Sequence, residues 1–268
     1  MNNKYKTFFG FSKTPFHQDI AVKNLMPTKQ LSGVVERIRY TVDLGAAMIL
    51  TGDIGTGKSS ALRYAIKEFH PSEYIVIYVT ATTGSAVEIY KQICAELKIE
   101  LKTYSRGLLI KTIKSCALEY WLKKQKPILI IDEASLLRIE VFTELHTIMQ
   151  FENDSEPKLP IILAGQNNLI DAMQYLPSRA FASRIVARSK LEPLKQGETE
   201  QYLLHHLKLA GNEQKLFTEP AITAIHKLSG GMLRKINNIA RGALIAAANQ
   251  KSQLVEPEHV QIASSEVF

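Results

Sequence analysis

The chain has 268 residues, 46% of them apolar and 22% charged, enough for a sizeable core in one or two domains. That composition excludes a disordered or fibrous chain, and no run approaches the roughly 20 apolar residues of a membrane span. The net charge is +7, and residues 1–190 carry all of it, with 25 Lys/Arg against 18 Asp/Glu, while residues 191–268 balance eight against eight. The lysine-rich start lacks the apolar core of a signal peptide. The two cysteines, Cys94 and Cys116, are in no metal-ligand spacing and read as reduced thiols, so a cytoplasmic protein with no membrane contact is expected.

In chain order, the aromatic opening Phe8-Phe9-Gly10-Phe11 and Thr14-Pro15-Phe16 is expected to pack, as a segment over 1–27, on the domain that follows. A helix is expected near 28–43, with Leu31, Val34, Val35, Ile38 and Val42 on one face. Next come a strand at 46–50, a glycine-rich turn, a helix over 58–69 and a strand at 74–79. Helices over 85–97 and 106–124 lead to strands at 128–131 and 161–164. Alternating helices and continuously apolar strands predict an α/β fold with a parallel sheet covered on both faces. From about residue 193 the pattern is helical only, over 197–210, 218–228, 231–249 and 256–264. Thr218-Glu219-Pro220 and Glu256-Pro257-Glu258 are helix starts with proline just inside. The reading is a nucleotide-binding domain over 28–192 and a small all-helical domain over 193–268.

Gly52-Asp53-Ile54-Gly55-Thr56-Gly57-Lys58-Ser59 matches G-x-x-x-x-G-K-[ST] in full. Its glycines let successive backbone N–H groups point at phosphates, with Ser60 at the exit. Lys58 supplies a point charge for the β- and γ-phosphates, and Ser59 a hydroxyl for magnesium. A strand leads in and a helix leads out, so the triphosphate, expected to be ATP, meets a helix N-terminus. Four apolar residues, Ile128 to Ile131, then end in Asp132-Glu133. Asp132 is suited to hold magnesium, partly through water, and Glu133 to polarise the attacking water.

Gln166 and Asn167 follow the fourth strand, where a polar side chain can reach the γ-phosphate or form an ordinary turn. Arg179, Arg184 and Arg188 cluster near the end of the sheet domain, and Arg234 opens the long helix of the tail. Residues 98–126 hold eight basic residues against two acidic ones. Such an excess suits a nucleic-acid backbone or a solvated helix face. Lys102, Arg106, Lys111 and Lys114 are the candidate DNA contacts.

The ordered set FFGFSKTPF, TGDIGTGKSS, ILIIDEASLL, IILAGQNNLI, SRAFASRIVARSKLEPL and SGGMLRKINNIARGALIAA resembles AAA+ ATPases of the ExeA (general secretion protein A) type, related to TniB- and TnsC-like transposition ATPases. The resemblance covers nearly the whole chain. It implies a P-loop AAA+ domain with a helical lid, Mg-dependent ATP hydrolysis, and ATP-driven assembly of copies into a ring or filament. It puts Gln166 at the sensor 1 position, Arg184 at the arginine finger and Arg234 at the sensor 2 arginine of the lid. The secretion proteins continue into a membrane span and a peptidoglycan-binding region, whereas this sequence stops at Phe268. That departure favours a cytosolic regulator bound to double-stranded DNA, with a partner such as a transposase, over a secretion-type assembly ATPase. A small-molecule kinase shares the loop, but the neutral helical tail fits a lid better.

Overall fold

A computed structural model describes residues 4–17, 19–100, 105–151 and 156–265. Its elements begin with α1 (Lys4–Phe8), α2 (Lys29–Leu44), β1 (Ala47–Gly52), α3 (Lys58–Ile66), β2 (Tyr74–Thr80), α4 (Ala86–Glu96) and α5 (Arg106–Leu122). They continue with β3 (Lys126–Asp132), α6 (Ile139–Met149), β4 (Ile161–Gly165), α7 (Asn168–Ala172), α8 (Arg179–Ala182) and β5 (Ile185–Leu191). The last four are α9 (Gln196–Leu209), α10 (Glu219–Ser229), α11 (Leu233–Asn249) and α12 (Pro257–Ser265). Two compact units emerge, one of Pro27–Asp53 with Lys58–Leu191, the other of Met1–Met26, Ile54–Gly57 and Glu192–Phe268.

The first unit is built on a parallel sheet in the order β2-β3-β4-β1-β5. Period-2 alternation sends neighbouring side chains to opposite faces. Ile49, Leu129, Ile131 and Leu163 join one core with α4, α5 and α6, while Met48, Leu50, Ile130 and Ile162 join a second with α2 and α3. Both faces are covered, which is why these strands are apolar throughout. Burying each such side chain stabilises the fold by about 1.5–3 kcal/mol. The hydroxyl of Thr28 accepts from the Leu31 N–H at 3.1 Å and starts α2.

The fifth strand and α6 are absent from the expected elements. β5 lies at the sheet edge, paired among the described residues only with β1, and alternates exposed Val186, Arg188 and Lys190 with more buried neighbours. An edge strand needs no continuous apolar run.

In the second unit, α9 buries Thr199, Tyr202, Leu203, His206 and Leu207, the i, i+3, i+4 pattern of a core-facing helix. The opening aromatics correct an expectation: they pack on this helical unit instead of the nucleotide-binding domain. Tyr5, Phe9, Phe11 and Phe16 share its core with Leu203, Leu207 and Ile236. Phe16 stacks on His206 at 5.2 Å, and the Asn212 side chain donates to the Phe9 carbonyl at 2.8 Å. A helical region of under 80 residues has little interior of its own, and four aromatic rings enlarge it.

Candidate nucleotide site

β1 runs straight into the loop. Gly55 (φ +87°) and Gly57 (φ +97°) take left-handed conformations that side-chain-bearing residues rarely adopt. Lys58 opens α3, so the loop ends at a helix N-terminus, whose backbone N–H groups point towards a bound anion. The Lys58 ammonium is buried and donates to the carbonyls of Gly52 at 2.8 Å and Asp53 at 3.1 Å, fixing a cation inside the loop. Ser59 is exposed and Ser60 half-buried. Loop residues Ile54–Gly57 group with the helical unit, whereas a nucleotide-binding domain over 28–192 would hold the whole loop. Within that unit the Arg234 N–H donates to the Gly55 carbonyl at 3.3 Å.

β3 ends in Asp132, buried to 5% exposure. Its Oδ1 accepts from the Glu133 N–H at 2.9 Å and its Oδ2 from the Tyr78 hydroxyl at 2.6 Å. Burial, and then the Asp132 carboxylate, push the Tyr78 hydroxyl far above its ordinary pKa, with Arg63 partly opposing. Glu133 has φ 54° and ψ 30°, left-handed for a residue with a side chain, which costs on the order of 1–3 kcal/mol. That turn leaves the sheet immediately after the carboxylate pair.

β4 lies between β3 and β1, so its exit brings Gln166 and Asn167 between the acidic pair and the loop. Asn167 makes the side-chain contact to the loop: its Nδ2 donates to Asp53 Oδ1 at 2.8 Å. Gln166 is half-buried, and its carbonyl accepts from the Leu169 N–H at 3.0 Å. Loop, acidic pair and polar pair thus meet at the carboxyl end of a parallel sheet, where α/β proteins bind ligands.

Residues 43–173 match the model of an AAA domain. General secretion pathway protein A of Aeromonas hydrophila is 30% identical over 265 residues, 98% of this chain and 48% of that protein. Residues 43–173 thus form an AAA-type domain, and along 98% of its length the chain is similar to general secretion pathway protein A. It spans about half the length of that curated relative. Among solved structures, Cdc6p of Pyrobaculum aerophilum superposes with a TM-score of 0.75 at 16% identity, over 98% of this chain and 71% of that one. ORC1 of Aeropyrum pernix, solved in complex with DNA, gives 0.69 at 14% identity, over 96% and 70%. At those identities the likeness is one of fold. No helix among the described residues is long and apolar enough to cross a membrane.

In the sheet unit, Arg184 directly precedes β5, and its carbonyl accepts from the Ala47 N–H at 2.9 Å. That is the amino end of β1, five residues or roughly 16 Å from Gly52. Arg179 and Arg188 are exposed.

The basic stretch is rearranged by packing. The Arg106 guanidinium forks onto Glu144, with Nε at 3.0 Å from Oε2 and a terminal nitrogen on Oε1. Glu144 is buried and also accepts from the Tyr90 hydroxyl at 3.1 Å. Lys114 donates to the Gln150 carbonyl at the end of α6 at 2.6 Å and lies over the Phe151 ring; burial lowers its pKa. Two of the four candidate DNA residues are thus engaged within the chain, Arg106 on a buried carboxylate and Lys114 at a helix C-terminus. Lys111 is exposed, and Lys102 lies outside the described residues.

Two contacts escaped the sequence reading as site features, the Tyr78 hydroxyl on Asp132 and the Asn167 amide on Asp53. A tyrosine in a buried strand reads as core, and only strand order brings it beside the carboxylate.

Proposed function

We propose that this AAA+ protein binds ATP with magnesium and hydrolyses it, each site being completed by a second copy of the chain. The observation that carries the reading is the meeting of the two ends of the loop, Gly52-Asp53 and Lys58-Ser59, with Asp132 and Glu133 at one end of the sheet. Ser59 and Asp132 offer hard oxygen donors, the set expected of a magnesium ion shared with phosphates. The bound ion would neutralise charge on the β- and γ-phosphates. The loop N–H groups, from Gly52 through Ser60, cradle the phosphates, and Lys58 adds its fixed charge. Glu133 orients the attacking water and takes its proton. Gln166 or Asn167 holds that water or the γ-phosphate, and Arg234 serves as the sensor of the helical unit. Arg184, on the order of 16 Å from its own loop, acts on the nucleotide of a neighbour. Glu133→Gln should lower turnover by on the order of 10²–10⁴ and trap an ATP-bound assembly; unchanged turnover would reject the assignment.

For the partner we infer an assembly ATPase acting on protein or cell-envelope components, supported by 30% identity to general secretion pathway protein A along 98% of the chain. The second reading is a DNA-associated regulator, forming a ring or filament on duplex DNA and serving a transposase. It is favoured by the +7 charge and by the likeness to ORC1, which was solved with DNA. Phosphate neutralisation would make such binding steeply salt-dependent. Electron microscopy with a non-hydrolysable ATP analogue separates the two. Assembly only with duplex DNA supports the second; assembly indifferent to DNA, with no low-salt affinity for it, supports the first.

A further inference from the structure

Both carboxylate oxygens of Asp132 have donors from the chain. The Glu133 N–H comes from the backbone and would be present with any residue there except proline. The Tyr78 hydroxyl is a choice of side chain. Tyr78 lies on β2 next to β3, in register with Ile130, hence two residues short of Asp132 and on the same face. Such diagonal neighbours, roughly 7–8 Å apart, are within reach of an aromatic ring. The ring packs against the core with Val76 and Ile130, and a phenylalanine would pack as well. The hydroxyl therefore serves the carboxylate, and 2.6 Å is the length of a charge-assisted O–H···O⁻ bond.

We propose that Tyr78 is a positioning residue for magnesium. Its hydroxyl holds the otherwise broad χ2 torsion of Asp132 in one orientation. A carboxylate has about four acceptor sites, so two remain for metal-bound water after Tyr78 and Glu133 are served. The inference rests on the reading of Asp132 as the magnesium-side carboxylate. Without the hydroxyl the carboxylate turns more freely, and only the magnesium-dependent part of nucleotide binding weakens.

The experiment titrates magnesium against the affinity of the full chain for a fluorescent ADP analogue. Tyr78→Phe should raise the half-saturating magnesium concentration by about tenfold, the effect of one hydrogen bond to a charged group. Affinity without magnesium should stay within about twofold of wild type. In an Asp132→Asn background the same substitution should add nothing, since its partner is already altered. Should the Phe variant unfold, Tyr78→Met lacks the hydroxyl while filling the space flexibly, and the same shift is expected. An unchanged magnesium requirement in Tyr78→Phe, with a raised one in Asp132→Asn, overturns the positioning role and leaves the reading of Asp132 intact. Equal loss of affinity with and without magnesium also overturns it, as a structural role only. No effect of Asp132→Asn overturns both.

Discussion

The Asn167 amide and the Asp53 carboxylate meet at 2.8 Å, tying the end of β4 to the second residue of the phosphate loop. This contact joins the strand that separates the two halves of the site to the segment that must close around the phosphates. Asn167→Ala should lower nucleotide affinity by about tenfold, from loss of one hydrogen bond to a charged group. Asn167→Asp should be worse, because it sets two carboxylates at hydrogen-bond distance. Fluorescent-nucleotide titration checks the order of the two variants; equal affinities would remove the tie from the binding machinery.

If Arg184 acts on a neighbour, two inactive variants can rescue one another. Lys58→Ala disables its own loop, and Arg184→Ala fails to supply its neighbour. In a mixture, an Arg184→Ala subunit with an intact loop can receive arginine from a Lys58→Ala subunit. Mixed assemblies should recover a fraction of wild-type turnover that neither variant has alone. ATPase assays across mixing ratios that never exceed the sum of the separate activities would place the arginine's action within one subunit.

Arg106 should matter for stability and not for DNA. Its side chain is 60% exposed, so the fork to Glu144 is partly screened, but Glu144 is 10% exposed and depends on it. Arg106→Ala should cost about 2–3 kcal/mol in chemical denaturation, and Tyr90→Phe about 1 kcal/mol. Low-salt affinity for duplex DNA should be the same for Arg106→Ala and wild type. A selective loss of DNA affinity without loss of stability would return Arg106 to a binding role.

Acid should loosen the helical unit through His206. Burial, and secondarily the charge of His205, lower its pKa to about 4 from 6.5. Between those values the unfolded chain binds a proton that the folded chain does not. Stability therefore falls as the pH drops from about 6.5 to 4, by at most about 3 kcal/mol, and is flat above 7. His206→Phe, which keeps a ring against Phe16 and Tyr202, should abolish that slope in urea melts. A slope unchanged by the substitution would assign the acid response elsewhere.

The chemistry-bearing pieces are legible in local residue spacing. The loop was legible because its glycines, lysine and serine have fixed spacing, and Asp132-Glu133 because a buried strand advertises itself as an apolar run. The opening aromatics were legible as a packing segment, yet their partner was not, since a phenylalanine carries no address. The tertiary structure decided that they join the helical unit. Arg106 and Lys114 look alike in a basic stretch, and only packing reveals Glu144 and the end of α6 beside them. The edge strand β5 escaped because exposed residues interrupt its apolar pattern at every second position. Tyr78 and Asn167 became part of the site through the strand order β2-β3-β4-β1, which brings together residues 54 and 114 positions apart in the chain. Local spacing is written in the sequence; adjacency between strands is a property of the folded sheet.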